Sequence, residues 1–102
     1  MMSLLNIGEK SVQILWTKNA KRNLEQYISQ DNATAAFKMV NKIIDAVEHL
    51  AEHPGIGRPG RIMGTRELVI IGTPYLIPYR IKNQQIEIIR VFHGAMIWPE
   101  NF

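Results

Sequence analysis

The sequence predicts an α+β fold in which a helical hairpin packs on one side of a small, mainly antiparallel sheet. An unbroken apolar stripe with helical spacing runs from Ala36 to Ala51. Short apolar segments typical of strands follow from Gly64 onwards. A chain of 102 residues, 46% of them hydrophobic, is large enough for one core, so we expect a single domain over residues 1–102.

The first predicted elements are a strand and a helix. Val12, Ile14 and Trp16 lie on one face of an alternating segment, which is typical of a half-buried strand. Thr17 is a suitable N-cap for a helix whose apolar positions repeat with helical spacing up to Ile28. The polar residues 29–32 interrupt this pattern and separate the first helix from the second.

The second helix has the clearest signal in the chain. Asp31 or Asn32 is expected to cap it, and Pro54-Gly55 to stop it, because proline cannot continue a helix and glycine permits the turn that follows. Its buried face is predicted to comprise Ala36, Phe37, Val40, Ile43, Ile44, Val47, Leu50 and Ala51.

Three strands are predicted after the helices, and the last two form a hairpin. Pairing across the turn at residues 82–85 gives four facing pairs: Ile81 with Ile86, Tyr79 with Ile88, Ile77 with Arg90, and Tyr75 with Phe92. This register places Arg90 in the middle of the apolar face that would contact the helices. On the other face, it places Arg80 opposite Glu87 as a cross-strand ion pair.

Pro78 constrains this hairpin, because proline cannot donate a hydrogen bond to a neighbouring strand. Either that side of its strand is open or a bulge lies there. An open edge would let another chain add a strand.

One motif in the loop after the helices imitates a dinucleotide fingerprint. Gly55, Gly57 and Gly60 have G-x-G-x-x-G spacing, but the fingerprint must follow a strand and open a helix, whereas this segment follows a helix. We therefore expect no cofactor. Arg58 and Arg61 make the loop a possible anion-facing rim.

A second motif, from His49 to His53, matches the H-x-x-E-H pattern of a class of zinc peptidases. The alternative is two solvated histidines near a helix C-terminus, where they complement the dipole. We favour the alternative, because a domain of this size leaves little room for a peptidase cleft, and we expect no metal.

Three further side chains have a structural and a functional interpretation. Arg90 either buries its stem and turns its guanidinium to solvent or a carboxylate, or it binds phosphate or an acidic partner. His93 follows the last strand and is either structural or a general acid or base. Trp98 either packs on the body or serves protein recognition.

Composition excludes several classes of protein. The sequence has no cysteine, which excludes disulfides and thiolate chemistry and suits a cytoplasmic location. Its N-terminus lacks the basic and long apolar regions of a signal peptide, and no apolar run could span a membrane. The net charge of +3 is a mild bias toward anionic partners.

The last third of the chain resembles the toxins of bacterial toxin–antitoxin modules in the RelE/ParE superfamily. Three stretches support the resemblance: Gly-Thr-Arg-Glu-Leu at 64–68, Tyr-x-x-x-Tyr-Arg at 75–80, and Arg-Val-Phe-His at 90–93. The predicted element order β-α-α-β-β-β also matches that of the superfamily. The resemblance implies a toxin neutralised by a cognate antitoxin, in a hetero-oligomer whose antitoxin has a flexible, often acidic segment.

The resemblance leaves two known targets open, and also an inactive or differently targeted member, because fold does not fix function. RelE-like members are ribosome-dependent mRNA endonucleases, and they place cations where this sequence has Glu67, Val69 and Leu76. Such an activity here would rest on a reduced site of Arg66, Arg90 and His93. ParE-like members poison DNA gyrase by binding, and the loss of these cations favours that branch.

The chain departs from a common pattern of the superfamily at Met96, where an arginine often follows His-x-x. In the favoured branch no residue is catalytic. The residues expected to contact the target or partner are Arg58, Arg61, Arg66, Arg80, Arg90, His93 and Trp98.

Overall fold

A computed structural model describes residues 12–28 and 33–93 of the chain. This part of the chain contains two α-helices, two short 3-10 turns and six strands. In chain order they are β1 (Gln13–Trp16), α1 (Lys18–Ile28), α2 (Ala33–Glu48), 3-10 turns at His49–Ala51 and Pro54–Ile56, β2 (Arg58–Pro59), β3 (Arg66–Val69), β4 (Tyr75–Lys82), β5 (Gln85–Ile88) and β6 (Phe92–His93).

The strands form one mixed, mostly antiparallel sheet in the order β1-β5-β4-β3-β2, with β6 also paired to β4. Among the described strands, β1 and β5 form the one parallel pair. The α+β class and the β-α-α-β-β-β order are confirmed, apart from the short extra strand β2 and a break in the last strand. None of the helices in the described residues is long and apolar enough to cross a membrane.

Helices α1 and α2 pack on one face of the sheet. Thr17 caps α1 as predicted, because its Oγ1 accepts a hydrogen bond of 3.1 Å from the Ala20 N–H. Ile14 and Trp16 of β1, with Val12 just before it, pack against the core from one face, also as predicted. The core combines residues of both helices with the inner face of the strands: Ala20, Ile43, Val47, Leu50, Ile70, Ile77, Tyr79, Ile86, Ile88 and Val91.

The predicted apolar stripe of α2 is confirmed at four of its eight positions, while Ala36, Ile44 and Ala51 are only half-buried. Val40, Ile43 and Val47 are buried in the helix and Leu50 in the 3-10 turn that extends it, but Phe37 is 54% exposed. Pro54 opens the second 3-10 turn just beyond the end of the first, as expected of a helix-stopping residue. The predicted caps Asp31 and Asn32 lie outside the described residues.

The register of the hairpin is right near its turn and wrong further along. Ile81 pairs with Ile86 and Tyr79 with Ile88, around a tight turn in which Asn83 and Gln84 both have positive φ. Beyond Ile88 the register shifts by one residue. Strand β6 consequently pairs Leu76 with Phe92 and Tyr75 with His93.

This shift is a β-bulge between β5 and β6, opposite Pro78. The carbonyl of Pro78 accepts a hydrogen bond of 3.0 Å from Ile89, but its ring nitrogen has no hydrogen to return. The sequence left an open edge or a bulge as alternatives at Pro78, and the bulge is the one found. It also moves Val91 to the helix-facing side and Phe92 to the opposite face.

Side chains of the first helix and its cap bind the backbone that the bulge releases. Thr17 Oγ1 donates to the Ile89 carbonyl at 2.9 Å, and the Val91 N–H donates to Asn23 Oδ1 at 3.0 Å. The Tyr27 hydroxyl donates to the Val91 carbonyl at 3.0 Å. Polar groups left unpaired in the interior cost free energy. These three side chains stabilise the bulge because they satisfy the backbone groups that it leaves without strand partners.

Candidate functional site

The glycine loop, the segment after α2 that contains Gly55, Gly57 and Gly60, is held in place by a tyrosine of strand β4. Tyr79 is fully buried, and its hydroxyl donates to the Pro54 carbonyl at 2.7 Å while accepting from the Gly57 N–H at 2.9 Å. A Cβ on Gly57 would lie 2.6 Å from that hydroxyl. Burial raises the pKa of Tyr79, and the hydrogen bond from Gly57 and the charge of Arg66 partly offset this.

Arg66 binds the same loop through hydrogen bonds. Its Nη1 donates to the carbonyls of Gly55 and Gly57, at 3.2 and 2.7 Å. The side chain lies on the helix-facing side of β3, because Arg66 pairs with the core residue Tyr79. Arg66 thus fastens the loop.

Glu67 organises the two arginines that the sequence places on the rim. Its carboxylate is 3% exposed and accepts from Arg58 Nε at 3.1 Å and from the Arg61 N–H at 3.0 Å. The guanidinium of Arg58 completes an ion pair at 3.1 Å, with Arg61 Nε 4.0 Å away from the other carboxylate oxygen. A buried carboxylate therefore neutralises much of this rim, which was predicted to be basic.

Arg80 pairs with Glu87 across β4 and β5, as the predicted register requires. Both side chains lie on the face away from the helices, because their neighbours Tyr79 and Ile88 point to the core. An exposed ion pair of this kind contributes at most about 1 kcal/mol.

Arg90 does not lie opposite Ile77 on the helix-facing side. The bulge releases it, and its guanidinium lies over the ring of Phe92, 5.6 Å from the centroid, on the other face of the sheet. Within the described residues its Nε is buried without a hydrogen-bond partner. No carboxylate in that part of the chain forms an ion pair with it.

His93 ends a row of three rings. Its imidazole is exposed and meets Tyr75 edge-on, with centroids 5.5 Å apart, and Tyr75 contacts Tyr27 at 4.9 Å. Burial, and secondarily the neighbouring Tyr75, raise the pKa of Tyr27 to about 12. Tyr27 therefore stays a neutral hydrogen-bond donor at physiological pH.

The predicted site residues thus fall into two groups. Arg58, Arg61 and Arg66 surround the glycine loop, while Arg90 and His93 lie beside the bulge. Arg66 on β3 pairs with Tyr79 of β4, and His93 on β6 pairs with Tyr75 of the same strand. The two residues therefore flank opposite edges of β4, about 13 Å apart along it. The Arg66–Arg90–His93 set of the ribonuclease alternative is not brought together, and Trp98 lies outside the described residues.

Sequence reasoning missed Tyr27, Asn23 and the structural role of Glu67. Asn23 had one available signal, since it is a polar residue on the buried side of an amphipathic helix. The described residues contain no group of three side chains that could hold a metal ion.

Comparison with known proteins places this arrangement in the toxins of toxin–antitoxin systems. The family described as ParE toxin of type II toxin-antitoxin system, parDE, matches residues 14–98. The chain therefore belongs to this family, within the RelE/ParE superfamily of type II toxins.

Two relatives and one solved structure agree with this assignment. Y4kP of Sinorhizobium fredii, which is named as a proposed toxin, is 47% identical over 86% of this chain and 94% of its own. Toxin RelE2 of Caulobacter vibrioides is 34% identical over 83% and 98% of the two chains. A chain of the chromosomal ParDE toxin–antitoxin system from P. aeruginosa superposes with a TM-score of 0.72, at 27% identity, over 83% and 98% of the two chains.

Proposed function

We propose that this chain is a ParE-like toxin that acts in the cytoplasm, arrests growth by binding DNA gyrase, and is neutralised by a cognate antitoxin. The observation that supports the gyrase target most is Glu67. The resemblance to ribonuclease-type members places a lysine there, whereas this chain has a carboxylate that is 3% exposed and held by Arg58 and Arg61.

A negative charge at this position is unsuited to phosphoryl transfer. Attack on an RNA phosphodiester builds negative charge on the non-bridging phosphate oxygens, which an enzyme must stabilise with cations or donors. At the two other cation positions the chain has Val69 and Leu76, and the one basic side chain next to Glu67 on β3, Arg66, is bound to loop carbonyls. A surface that binds a protein needs none of these groups.

The antitoxin proposal draws on the neighbouring structure, which is described as a ParDE system. A partner that folds on the toxin would bury exposed apolar side chains such as Ile56 and Ile71, at 60% and 88% exposure. Toxin and antitoxin would then form a hetero-oligomer.

The alternative is a RelE-like, ribosome-dependent mRNA endonuclease. Two observations favour it: the exposed ring of His93 beside Tyr75, which suits a general acid or base, and the similarity to the relative named Toxin RelE2.

The two proposals are separated by expressing the chain alone and then assaying it purified. Expression without antitoxin should arrest growth, and co-expression with the antitoxin should restore it. Purified chain should inhibit gyrase supercoiling and leave ribosome-bound mRNA intact. Cuts at defined codon positions with normal supercoiling would replace the gyrase proposal with the endonuclease, and unimpeded growth at high soluble expression would contradict both.

A further inference from the structure

The β2–β3 loop, residues 60–65, is held in one conformation by its own hydrogen bonds. The Gly60 N–H donates to the Thr65 carbonyl at 2.8 Å, which continues the ladder of the two strands. The Ile62 carbonyl accepts two hydrogen bonds from Thr65, one from its N–H at 3.1 Å and one from its Oγ1 at 2.6 Å. Gly64, at the third position of this turn, has a φ of +83°, which glycine adopts without strain.

The buried carboxylate of Glu67 fixes the base of the same loop. One of its oxygens binds the Arg58 side chain, and the other accepts from the Arg61 N–H at 3.0 Å. A buried carboxylate is unfavourable unless it is paired, and here both oxygens hold the loop against β3. The loop is therefore a rigid projection from the sheet.

An apolar side chain lies at the tip of this projection. Met63 is 97% exposed, more than any other large apolar side chain of the described residues. Turns ordinarily carry small or polar residues at such positions, and an apolar side chain that stays in water contributes nothing to folding. Methionine is a flexible side chain that is enriched at protein interfaces. Its place on a rigid turn indicates that Met63 is buried by a partner.

A cleft of about 390 Å³ lies beside the tip, between the loop and the start of α1. Ile62 and Ile89 contribute apolar surface to it, and the ion pair of Arg80 and Glu87 lines it as well. Its volume is at the lower end of the range of about 300–1,000 Å³ typical of ligand pockets. The cleft can accept a side chain of the partner that buries Met63.

The exposed charge around the loop is mainly positive. The side chains of Arg58, Arg61 and Arg80 are each about half exposed. Of the carboxylates that pair with them, Glu67 is buried and Glu87 is about one-third exposed. A partner surface with acidic groups would complement this distribution.

We propose that the β2–β3 loop is the surface through which this chain contacts DNA gyrase. Met63 inserts into an apolar pocket of the target, and the arginines around the loop face acidic groups at the rim of that pocket. The inference rests on the proposed function, because it assumes gyrase as the target, and it assigns the part of the chain that makes the contact.

The convex shape of the loop selects a folded target over a flexible antitoxin segment. A segment that folds on binding gains most from a groove that buries its side chains, whereas a projecting tip offers it little surface. A rigid projection fits a preformed pocket at a small cost in ordering. Nucleic acid is a poor occupant, because the methionine at the tip has no charge and no donor for a phosphate.

Photo-crosslinking tests the contact directly. A photo-crosslinking amino acid in place of Met63 should crosslink the full chain to a subunit of purified gyrase. The same amino acid in place of Phe37 is the control, since Phe37 is also exposed but lies on α2 and does not line the cleft. Crosslinking from position 37 that equals or exceeds that from position 63 would overturn the proposal.

Two substitutions of Met63 test the chemistry of the contact. Met63→Gln has a similar length but is polar, and it should raise the concentration that half-inhibits supercoiling about tenfold or more. Met63→Leu keeps an apolar side chain of similar volume and should stay within about threefold of the wild type. Phe37→Gln should stay within about twofold. Urea unfolding of Met63→Gln should match that of the wild type, because the side chain is exposed in the free chain.

The outcomes separate this inference from the function on which it rests. A Met63→Gln chain that inhibits gyrase as well as the wild type would overturn the loop assignment and leave the gyrase proposal standing. A wild-type chain that does not inhibit gyrase would contradict the proposed function itself. A Met63→Gln chain that keeps its inhibition but loses antitoxin affinity, or affinity for DNA without gyrase, would assign the loop to that partner and also overturn the proposal.

Discussion

Gly57 shows how a single missing side chain positions the loop that carries the rim arginines. The Tyr79 hydroxyl occupies the space where a Cβ would lie and bonds both Pro54 and Gly57. The backbone at Gly57 is extended, with φ −71° and ψ 151°, so the requirement for glycine is one of space. Of the three glycines in the G-x-G-x-x-G spacing, Gly57 is the one required by packing against this buried tyrosine.

Gly57→Ala should lower the free energy of unfolding by about 1–3 kcal/mol, because the new methyl group must displace a buried hydroxyl from its two hydrogen bonds. Gly55→Ala is the control, since a Cβ there meets nothing within 4 Å, and it should be neutral or stabilising by a few tenths of a kcal/mol. Urea unfolding of both variants measures the difference. Equal stabilities would show that the loop moves freely away from Tyr79.

Glu67 marks a limit of reading single residues from sequence. A glutamate flanked by Arg66 and Leu68 on a short strand is ordinarily exposed, and its type alone favours solvent. It is buried because Arg58 and the Arg61 backbone, six to nine residues earlier, return to it across the loop. No local pattern encodes that return.

At the scale of elements, periodicity predicted both helices, the first strand and the hairpin turn, because each has a clear apolar face. It failed after Ile88. The segment Ile88-Ile89-Arg90-Val91-Phe92 is apolar on both sides of the strand, so a shift of one residue exposes no apolar face and alternation cannot fix the register. Pro78 was the one local signal of a bulge. The hydrogen-bond partners of the Val91 backbone are Asn23 and Tyr27, which lie 64–68 residues earlier in the sequence.

Tyr27→Phe tests whether α1 stabilises the bulge. The substitution leaves the Val91 carbonyl without its 3.0 Å hydrogen bond and should cost about 0.5–1.5 kcal/mol near neutral pH. Urea unfolding measures the loss. Tyr75→Phe is a suitable control, because it keeps the ring contacts with Tyr27 and His93 while changing a hydroxyl of the same row.

Tyr27 also predicts that the free energy of unfolding depends on pH in the alkaline range. The pKa of Tyr27 is raised from 10.0 unfolded to about 12 folded, so the folded chain holds this proton more tightly. Its contribution to stability is fully present below pH 10 and is lost as pH rises toward about 12. The advantage of the wild type over Tyr27→Phe should therefore shrink across that interval, and an advantage that stays constant would contradict the assignment.

At the scale of the whole molecule, the candidate site residues are dispersed over the sheet. Arg66 serves the glycine loop at one side of β4, and His93 lies on the other side about 13 Å along that strand. Catalysis needs groups converging within hydrogen-bond reach of one reacting atom, whereas protein binding uses a broad surface. This dispersal agrees with a toxin that acts by binding.

His93→Gln distinguishes the two modes of action. Glutamine keeps much of the hydrogen-bonding reach of imidazole but cannot transfer protons near neutral pH. A binding poison should therefore keep most of its toxicity and its inhibition of supercoiling. An endonuclease that uses this ring as its general acid or base should lose about 10²–10⁴ in rate. The substitution also removes the ring contact with Tyr75, so thermal unfolding and antitoxin binding of the variant are measured alongside as controls. A folded, antitoxin-binding variant that no longer arrests growth would refute the non-catalytic mechanism and return His93 to the centre of an active site.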